Sequence, residues 1–386
     1  MTGTIPAERY ADRLARAQAV AAERKVGAML IGVGTDLHWL IGYDAMPLER
    51  LTMLVVPPTG RATLVVPRLE RSAALAATGV GAAIVDLVTW EETDDPVDLV
   101  AHQDGVEAAS QRGEPMLISD WLGSRFLLRI QRRLPSASYD VASSVLSDLR
   151  AIKDADEIAL LRAAAHAADR VVASIAGGRL VGRTEADVAN EVRERLLTEG
   201  HDEATFGIVA SGPNSASPHH DATDRVITAG EPIVLDIGGR IEGYGSDITR
   251  TLWVTGGDAS HGPDDTYREL FAILQRAQAE ATEAATAGTA AEIVDEVARA
   301  IITDGGYGPQ FIHRTGHGIG LDGHEDPYLV LGNRAPLVVG NAFSVEPGIY
   351  LEGRYGARIE DIVVCAESGP DTLNQAPHEL AIVGGG

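Results

Sequence analysis

Cysteine, secretion signals and membrane-spanning runs are missing or nearly missing from this sequence. Cys365 is the single cysteine, which excludes an intramolecular disulfide and fits a reducing compartment. Because it lies in an apolar run, we expect it to be buried and unreactive. The N-terminal segment has no cationic start followed by an apolar stretch, and no apolar run approaches the ~20 residues that cross a bilayer. These absences predict a soluble cytoplasmic protein without a membrane partner.

Basic residues are scarce relative to acidic ones. The chain has 32 lysines and arginines against 56 aspartates and glutamates, which gives a net charge of −24. Such a chain repels nucleic acid and anionic membrane, so neither is expected as a partner. A complete dinucleotide-binding fingerprint is also absent, because Gly32 and Gly34 are followed by Leu37 where a third glycine would be needed.

The length and the order of the predicted elements indicate two domains. At roughly 100–200 residues per domain, a chain of 386 residues favours two. Strands and helices alternate at first, which predicts an α/β domain at 1–145. Helices flank predicted hairpins in the rest, which predicts an α+β domain at 146–386. Two helices are expected to begin with capping boxes, Asp154 with Glu157 and Thr289 with Glu292.

The stretch Glu231–Arg250 organises the second domain. An apolar run leads into Asp236, and Asp247 follows after a glycine-rich turn region. If the two arms form a hairpin that turns at Ile241 and Glu242, the two aspartates face each other with Cβ atoms roughly 5 Å apart. Like charges at that distance destabilise a hairpin, and a buried carboxylate is costly. A divalent metal ion is the usual compensating charge.

A second hairpin repeats this arrangement. An apolar strand ends at Glu346, Gly353 lies in a turn, and Glu360 follows. A hairpin centred on Gly353 places the two glutamates opposite each other. Taken singly, each acid has an ordinary explanation, since an acid on a hairpin is usually solvated and Glu360 could pair with Arg358 for ~0–1 kcal/mol. Two opposed pairs in one domain weaken that explanation.

His317 completes the set. Its neighbouring glycines argue against a helix, so we expect His317 on an extended segment that other groups can approach closely. Four carboxylates and one imidazole form an oxygen-rich set suited to two divalent ions such as manganese, cobalt, iron or zinc. Paired ions polarise a carbonyl for hydrolysis of an amide or ester. Asp361 and Glu325 are interpreted as solvated or supporting acids.

Six segments resemble the Xaa-Pro dipeptidase and aminopeptidase P family of metallopeptidases. Their order and spacing match from about residue 150 to the end, and the first 145 residues resemble that family's N-terminal domain. The resemblance implies an N-terminal creatinase/prolidase-like α/β domain, a C-terminal pita-bread (creatinase/aminopeptidase-like) catalytic domain and a homodimer. The segments are SPHH (217–220), LDIGG (235–239), SDITRT (246–251), HRTGHGIGLDGHEDP (313–327), SVEPGIY (344–350) and RIED (358–361).

The resemblance also implies a role for each site residue. Asp236 would bind one metal ion, His317 and Glu346 would bind the other, and Asp247 and Glu360 would bridge both. Glu346 would also act as a proton shuttle. The residues implied to line the substrate site and stabilise the tetrahedral intermediate are His219, His313 and His324, and Arg358 would orient the metal-binding acids. The histidines that match no such position are His201 and His220.

One departure from the family pattern concerns the substrate. Dipeptide-specific members often carry an arginine just after the His-Glu-x-Pro element to hold the substrate carboxylate, whereas this chain has Tyr328, with Arg334 as a candidate substitute. The expected reaction is cleavage of the Xaa-Pro bond in dipeptides with two divalent ions, manganese being the first expectation. The open alternatives are an Xaa-Pro aminopeptidase acting on longer peptides, a creatinase-like amidohydrolase and a non-catalytic binding protein.

Overall fold

The fold is described by a computed structural model that covers residues 4–384. The chain forms two compact units, one spanning Thr4–Arg150 and one beginning at Ala151. An α/β unit followed by an α+β unit is the architecture that the sequence predicts. None of the helices within residues 4–384 is long and apolar enough to cross a membrane.

The N-terminal unit is built on one mixed sheet. Its six strands within residues 4–150 are β1 (Ala28–Gly32), β2 (Met53–Val56), β3 (Thr63–Pro67), β4 (Asp86–Trp90), β5 (Pro115–Ile118) and β6 (Ser138–Val141). Their order in the sheet is β4-β3-β2-β1-β5-β6. The β1–β5, β3–β4 and β5–β6 pairs are parallel, whereas the β1–β2 and β2–β3 pairs are antiparallel. Parallel neighbours need crossover connections, which the helices supply.

Mostly short helices connect these strands. They are α1 (Ala7–Glu23), α2 (Thr35–Ile41), α3 (Arg71–Ala76), α4 (Thr78–Gly81), α5 (Pro96–Ala101), α6 (Val106–Gln111), α7 (Ser124–Arg133) and α8 (Ser143–Ala151). Between residues 96 and 111 the chain forms two short helices, α5 and α6, rather than one long one. Gly105 between them has φ 82°, a left-handed conformation that interrupts a helix.

Two helix pairs and two main sheets form the C-terminal unit. The helices in its described part are α9 (Ala155–Ala176), α10 (Glu185–Thr198), α11 (Asp265–Ala284) and α12 (Ala291–Asp304). The strands are β7 (Glu203–Ser211), β8 (Glu231–Ile241), β9 (Tyr244–Gly245), β10 (Ile248–Val254), β11 (Gly316–Gly318), β12 (Glu325–Leu329), β13 (Ala342–Val345), β14 (Gly348–Leu351), β15 (Tyr355–Arg358), β16 (Asp361–Ala366), β17 (Gly369–Thr372) and β18 (Ala381–Val383).

The same layered arrangement occurs twice in this unit. One sheet has the order β18-β10-β8-β7, with β9 paired to β8, and the other has the order β12-β11-β13-β16-β17. Apolar residues of α9 and α10, such as Val171 and Val192, pack with Leu235 of the first sheet. Residues of α11 and α12, such as Leu274, pack with Phe343 of the second. Each fully buried side chain of this size contributes about 1.5–3 kcal/mol.

The first hairpin forms in a different register from the predicted one. Asp236 on β8 pairs with Thr249 on β10, so the prediction that it directly opposes Asp247 is wrong. The turn lies at Glu242 and Gly243, whose φ angles of 51° and 82° suit a tight two-residue hairpin turn. Moving the turn by one residue displaces the pairing by two residues. A displacement of two keeps a side chain on the same face of a sheet, so the two carboxylates are not separated.

The second hairpin forms in the predicted register. Gly348 on β14 pairs with Arg358 on β15, and Val345 on β13 pairs with Asp361 on β16. Both pairs are symmetric about Gly353, which confirms the predicted centre. Glu346 and Glu360 occupy positions between these two ladders.

Only one of the two predicted capping boxes forms. The Asp154 side chain accepts hydrogen bonds from the first turn of α9, and the Glu157 carboxylate accepts the backbone N–H of Asp154. The box predicted at Thr289 is wrong, because α12 has no side-chain cap. Glu292 accepts the backbone N–H of Gly332 instead, so a tertiary contact holds it away from its own helix.

Candidate active site

The five predicted metal ligands lie on strands of the two C-terminal sheets or directly next to them. Asp236 lies within β8, Asp247 directly precedes β10, and His317 is the middle residue of β11. Glu346 directly follows β13, and Glu360 directly precedes β16. The extended conformation predicted for His317 is confirmed.

Four of these side chains are buried, and that of Glu346 is 16% exposed. Asp247, His317 and Glu360 each offer one ligand atom, and these three atoms lie within 4.8 Å of one another. His317 Nε2 is 3.8 Å from Asp247 Oδ2 and 3.3 Å from Glu346 Oε1. The backbone N–H of Glu360 donates to the carbonyl oxygen of Thr249 at 3.1 Å, which joins the two sheets beside the cluster.

Burial and mutual repulsion oppose the ionisation of three of the acids. Burial, followed by the charges of neighbouring carboxylates, raises the pKa of Asp247 and of Glu360 well above their ordinary values. Burial also raises the pKa of Asp236. Burial alone would raise the pKa of Glu346, but its hydrogen bond with His317 and the charge of that ring lower it to about 2. A divalent cation among these groups would favour all four charged forms.

One carboxylate oxygen of Asp236 is buried without a hydrogen-bond donor among the described residues. Its Oδ2 accepts a hydrogen bond from Arg358 Nη2 at 2.5 Å. Its Oδ1 is buried and has no hydrogen-bond partner among the described residues. An orphaned buried oxygen costs about 1–3 kcal/mol and is rare in folded proteins. Carboxylate oxygens and one imidazole are also ligands that hard divalent cations accept, so the residues present fit a divalent metal site.

Arg358 holds several of these groups in place. Besides its contact with Asp236, its Nε donates to Thr249 Oγ1 at 3.0 Å, and this hydroxyl donates to Glu360 Oε2 at 2.6 Å. Its Nη1 donates to the Tyr350 hydroxyl at 2.7 Å. Burial opposes the guanidinium charge, but Tyr350 and the surrounding acids raise the pKa of Arg358 well above its ordinary value. The guanidinium therefore fixes two of the acids, one directly and one through a threonine.

Two of the three histidines that the sequence places near the substrate, His313 and His324, adjoin this cluster, and His219 lies within electrostatic range of both. The ring centroid of His324 is 3.9 Å from that of His317. The Nδ1 of His313 donates to a backbone carbonyl at 2.8 Å, and its Nε2 accepts from the Tyr350 hydroxyl at 3.0 Å. Burial lowers the pKa of His313, and burial together with the charges of His317 and Arg314 lowers the pKa of His324 to about 4. His313 and His324 are therefore neutral at pH 7.

Arg314, rather than Arg334, lies beside His324. Its guanidinium carbon is 4.5 Å from the ring centroid of Tyr328, and its Nη2 is 3.4 Å from His324 Nδ1. Within residues 4–384, Arg314 has no carboxylate at ion-pair distance. The side chain of Arg334 is 87% exposed and pairs with Glu292 at 3.4 Å, so it is engaged away from these histidines.

Several polar residues outside the predicted site form hydrogen bonds or ion pairs within this unit. His201 contacts Ser246 Oγ at 2.9 Å, and Lys153 forms a buried ion pair with Glu325 at 2.7 Å. Asp361 pairs with Arg250 and His378, and His220 contacts Glu185 at 2.8 Å. The supporting residues that the sequence analysis did not single out are Thr249, Tyr350, Arg314 and Glu185. Thr249, Tyr350 and Arg314 lie inside the motif segments, which is the one signal that could have found them.

Two family sequence models match the chain. Metallopeptidase family M24 matches residues 159–367, and the creatinase/prolidase N-terminal domain matches residues 13–152. The first match contains every residue of the buried cluster.

Individual relatives match over nearly the whole chain. The probable dipeptidase PepE of Mycobacterium tuberculosis is 44% identical over 382 residues, which are 98% of this chain and 97% of that protein. An Xaa-Pro dipeptidase of Pyrococcus horikoshii is 31% identical over 359 residues, 93% and 95% of the two chains. The crystal structure of dipeptidase PepE from Mycobacterium ulcerans has a TM-score of 0.90 at 42% identity, and the match covers 99% of this chain and 100% of that one.

The fold and the site lead to the same family. The predicted pita-bread fold of the C-terminal unit is confirmed by these structural matches. The buried acids and His317 are a suitable site for the divalent metal ions that the family uses. The sequence matches, the structural match and the buried cluster agree: the chain belongs to metallopeptidase family M24 and is a peptide hydrolase.

Proposed function

We propose that this protein is an Xaa-Pro dipeptidase that uses two divalent metal ions. The observation that carries the proposal is the buried cluster of four carboxylates and one histidine, with an orphaned oxygen on Asp236. The names of the relatives support the substrate class, since one is an Xaa-Pro dipeptidase and others are dipeptidases.

The ligands divide into three groups. Asp236 would hold one ion, His317 and Glu346 would hold the other, and Asp247 and Glu360 would contribute to both. Manganese is the first choice of metal, with cobalt, zinc and iron as alternatives, because all of them accept oxygen ligands and one imidazole. When bound, paired ions of this kind lower the pKa of water and polarise a carbonyl at neutral pH.

Glu346 is the proton shuttle in this proposal. Burial opposes its charge, but His317 lowers its pKa to about 2, so the carboxylate is ionised at neutral pH and can accept a hydrogen bond from the attacking water. It takes the proton of the attacking water and delivers it to the proline nitrogen as the peptide bond breaks. Arg358 supports the site by holding Asp236 directly and Glu360 through Thr249.

Neutral His324 supplies a hydrogen-bond donor for the developing oxyanion. A guanidinium can only donate, so His324 Nδ1 accepts from Arg314 and the ring carries its proton on Nε2. His219 and His313 lie in the same region and also contact the substrate. Donors fixed before the reaction stabilise transition-state charge without reorganisation at the moment of reaction.

Arg314 supports a preference for dipeptides. The C-terminal carboxylate of a dipeptide is close to its scissile bond, and the acidic cluster would repel it. Arg314 lies beside His324, stacks on Tyr328 and has no carboxylate partner within residues 4–384. It is therefore available for a charged contact with the substrate, which Tyr328 cannot make.

A panel of three peptides tests the proposed substrate. With manganese and at equal concentration, we compare a dipeptide with C-terminal proline, the same dipeptide amidated, and a tripeptide with proline second. The free dipeptide is expected to react fastest, and recognition of its carboxylate makes the amide poorer by tenfold or more, about 1.4 kcal/mol.

The other outcomes lead to the alternatives. Faster cleavage of the tripeptide would assign the protein to the Xaa-Pro aminopeptidases. No cleavage of any of the three would contradict the proposal and favour a creatinase-like amidohydrolase or a non-catalytic binding protein.

We also propose a cytoplasmic homodimer with domains at 1–145 and 146–386. Family resemblance supports the dimer, and the single cysteine supports the compartment. The change from alternating strands and helices to helices that flank hairpins supports two domains. Light scattering of the purified protein that gave the mass of one chain, 40.7 kDa, would contradict the dimer.

A further inference from the structure

One buried carboxylate fixes the loop that carries His219. Glu185 is the first residue of α10, and it is 0% exposed. Its Oε1 accepts the N–H and the Oγ–H of Ser211 at 2.8 and 2.7 Å. Its Oε2 accepts the N–H and the Oγ1–H of Thr223 at 3.1 and 2.8 Å. The two ends of the loop are therefore attached to the same side chain.

The middle of the loop is attached to it as well. Asn214 Nδ2 donates to Oε1 at 3.0 Å, and His220 Nε2 is 2.8 Å from Oε2. Burial alone would raise the pKa of Glu185, but these donors together lower it to about 2. The buried charge is thus satisfied by donors that lie between residues 211 and 223. Such charge-assisted hydrogen bonds are shorter and stronger than neutral ones.

The same loop also contacts the residues around the metal ligands. The backbone N–H of Gly356 on β15 donates to Ser215 Oγ at 2.9 Å. The carbonyl oxygen of Pro218 accepts from Arg358 Nη1 at 3.4 Å, and Arg358 holds Asp236. The loop therefore lies between Glu185 and the guanidinium that orients a metal ligand.

We propose that Glu185 is a positioning residue for the reaction. It holds the loop so that His219 reaches the substrate and so that the carbonyl oxygen of Pro218 accepts a hydrogen bond from Arg358. This role rests on the proposed function of the site. No part of Glu185 contacts the buried cluster in the structure, so its effect passes through the loop. A glutamate is suited to this role because its two oxygens accept hydrogen bonds from six donor groups here. A glutamine would instead turn an amide donor toward these donors.

The test is a double-mutant cycle between Glu185→Gln and His219→Ala, with turnover of the Xaa-Pro dipeptide as the readout. We expect Glu185→Gln to lower kcat by about tenfold or more, with little change in KM and unchanged metal content, since one donor to an oxyanion is misplaced. In the Glu185→Gln background, His219→Ala should lower kcat by a much smaller factor than it does in the wild type, because the histidine is already out of place. The matched control is Glu191→Gln, which changes an acid of the same helix that pairs with Arg183 and Arg195.

Three results would overturn the proposal. These are wild-type kcat in Glu185→Gln, losses that multiply in the double variant, and an equal loss in Glu191→Gln. If Glu185→Gln does not fold, His220→Leu and His220→Gln replace it. Leucine removes the donor and should lower kcat, glutamine keeps a donor and should restore it, and equal kcat values in the two would contradict the idea. A wild-type protein that cleaves no dipeptide would instead refute the proposed function, which is a separate outcome.

Discussion

At the residue scale, the site depends on acids that cannot remain charged together without a partner. Burial and the neighbouring carboxylates raise the pKa of Asp247 and of Glu360. The cluster is therefore costly in the metal-free protein and favourable when cations are present. This coupling makes each acid a sensitive target for mutation.

Asp247→Ala should abolish activity and remove bound metal. Asp247 is proposed to be shared by both ions, and its Oδ2 lies 3.8 Å from His317 Nε2. Metal analysis and dipeptide turnover on the same preparation check this. The control is Glu194→Gln, which changes an exposed acid on α10. Full metal content in Asp247→Ala would contradict the ligand assignment.

His324→Ala and His219→Ala should keep the metal and slow turnover. Each removes one proposed hydrogen-bond donor to the developing oxyanion, and such a loss typically lowers kcat by about 10²–10³. Steady-state kinetics together with metal analysis separate this effect from loss of the cofactor. Normal turnover in either variant would show that its histidine has a different role.

At the element scale, strand β11 places His317 by a very close backbone approach. A Cβ added to Gly316 would lie 1.9 Å from the carbonyl oxygen of Ser344 on the neighbouring strand. Backbone atoms cannot yield cheaply, so any larger residue forces β11 away from β13. Glycine in a strand often marks such a contact.

Gly316→Ala should therefore destabilise the protein and reduce metal binding together. The expected loss of unfolding free energy is about 1–3 kcal/mol or more, measured by urea unfolding of the metal-loaded protein. Gly323→Ala is the matched control, because a Cβ there meets no atom within 4 Å. Equal stability of the two variants would contradict the close packing.

Glu185 should stabilise the fold in a pH-dependent way. Its pKa is about 2 in the folded protein against an ordinary value of 4.5. The ionised form therefore contributes fully above about pH 4.5, and the contribution is lost as the pH falls toward 2. The full effect is about 3 kcal/mol. Urea unfolding of wild type and Glu185→Gln between pH 7 and 3.5 checks this, and the difference should shrink toward low pH. A constant difference would contradict the pKa.

The sequence predicts elements whose signal is local. The capping box at Asp154 forms because its partner is three residues away, and the hairpin about Gly353 forms in the predicted register. The hairpin after Asp236 has a different register from the predicted one. Its two-residue turn lies at Glu242 and Gly243, which both have positive φ, and not at Ile241 and Glu242. The cluster residues were identified from the sequence because the motif segments resemble the family, and not because the first hairpin was drawn in the right register.

Contacts between distant segments were beyond sequence reasoning. Glu185 lies 26 residues from Ser211 along the chain, and no periodic pattern links them. Glu292 leaves its predicted capping box because Gly332, far along the chain, offers it a donor. Arg314 is near His324 only once β11 and β12 are paired. Such tertiary contacts outweigh local propensity.

At the scale of the whole molecule, two helix-covered sheets hold the cluster from two sides. Asp236 and Asp247 belong to the first sheet and its hairpin, whereas His317, Glu346 and Glu360 border strands of the second. Bound ions would therefore join the two halves of the C-terminal unit. Ligands that bind only the folded state stabilise it, by about 2.7 kcal/mol at a concentration one hundred times Kd.

The central claim is that hydrolysis depends on two divalent ions held by this cluster. The most direct measurement removes metal with a chelator, adds manganese back in steps, and follows bound metal and dipeptide turnover in the same samples. We predict no turnover in the metal-free protein and a rise in turnover that saturates at two bound ions per chain. Full turnover in a preparation shown to contain no metal would contradict this account.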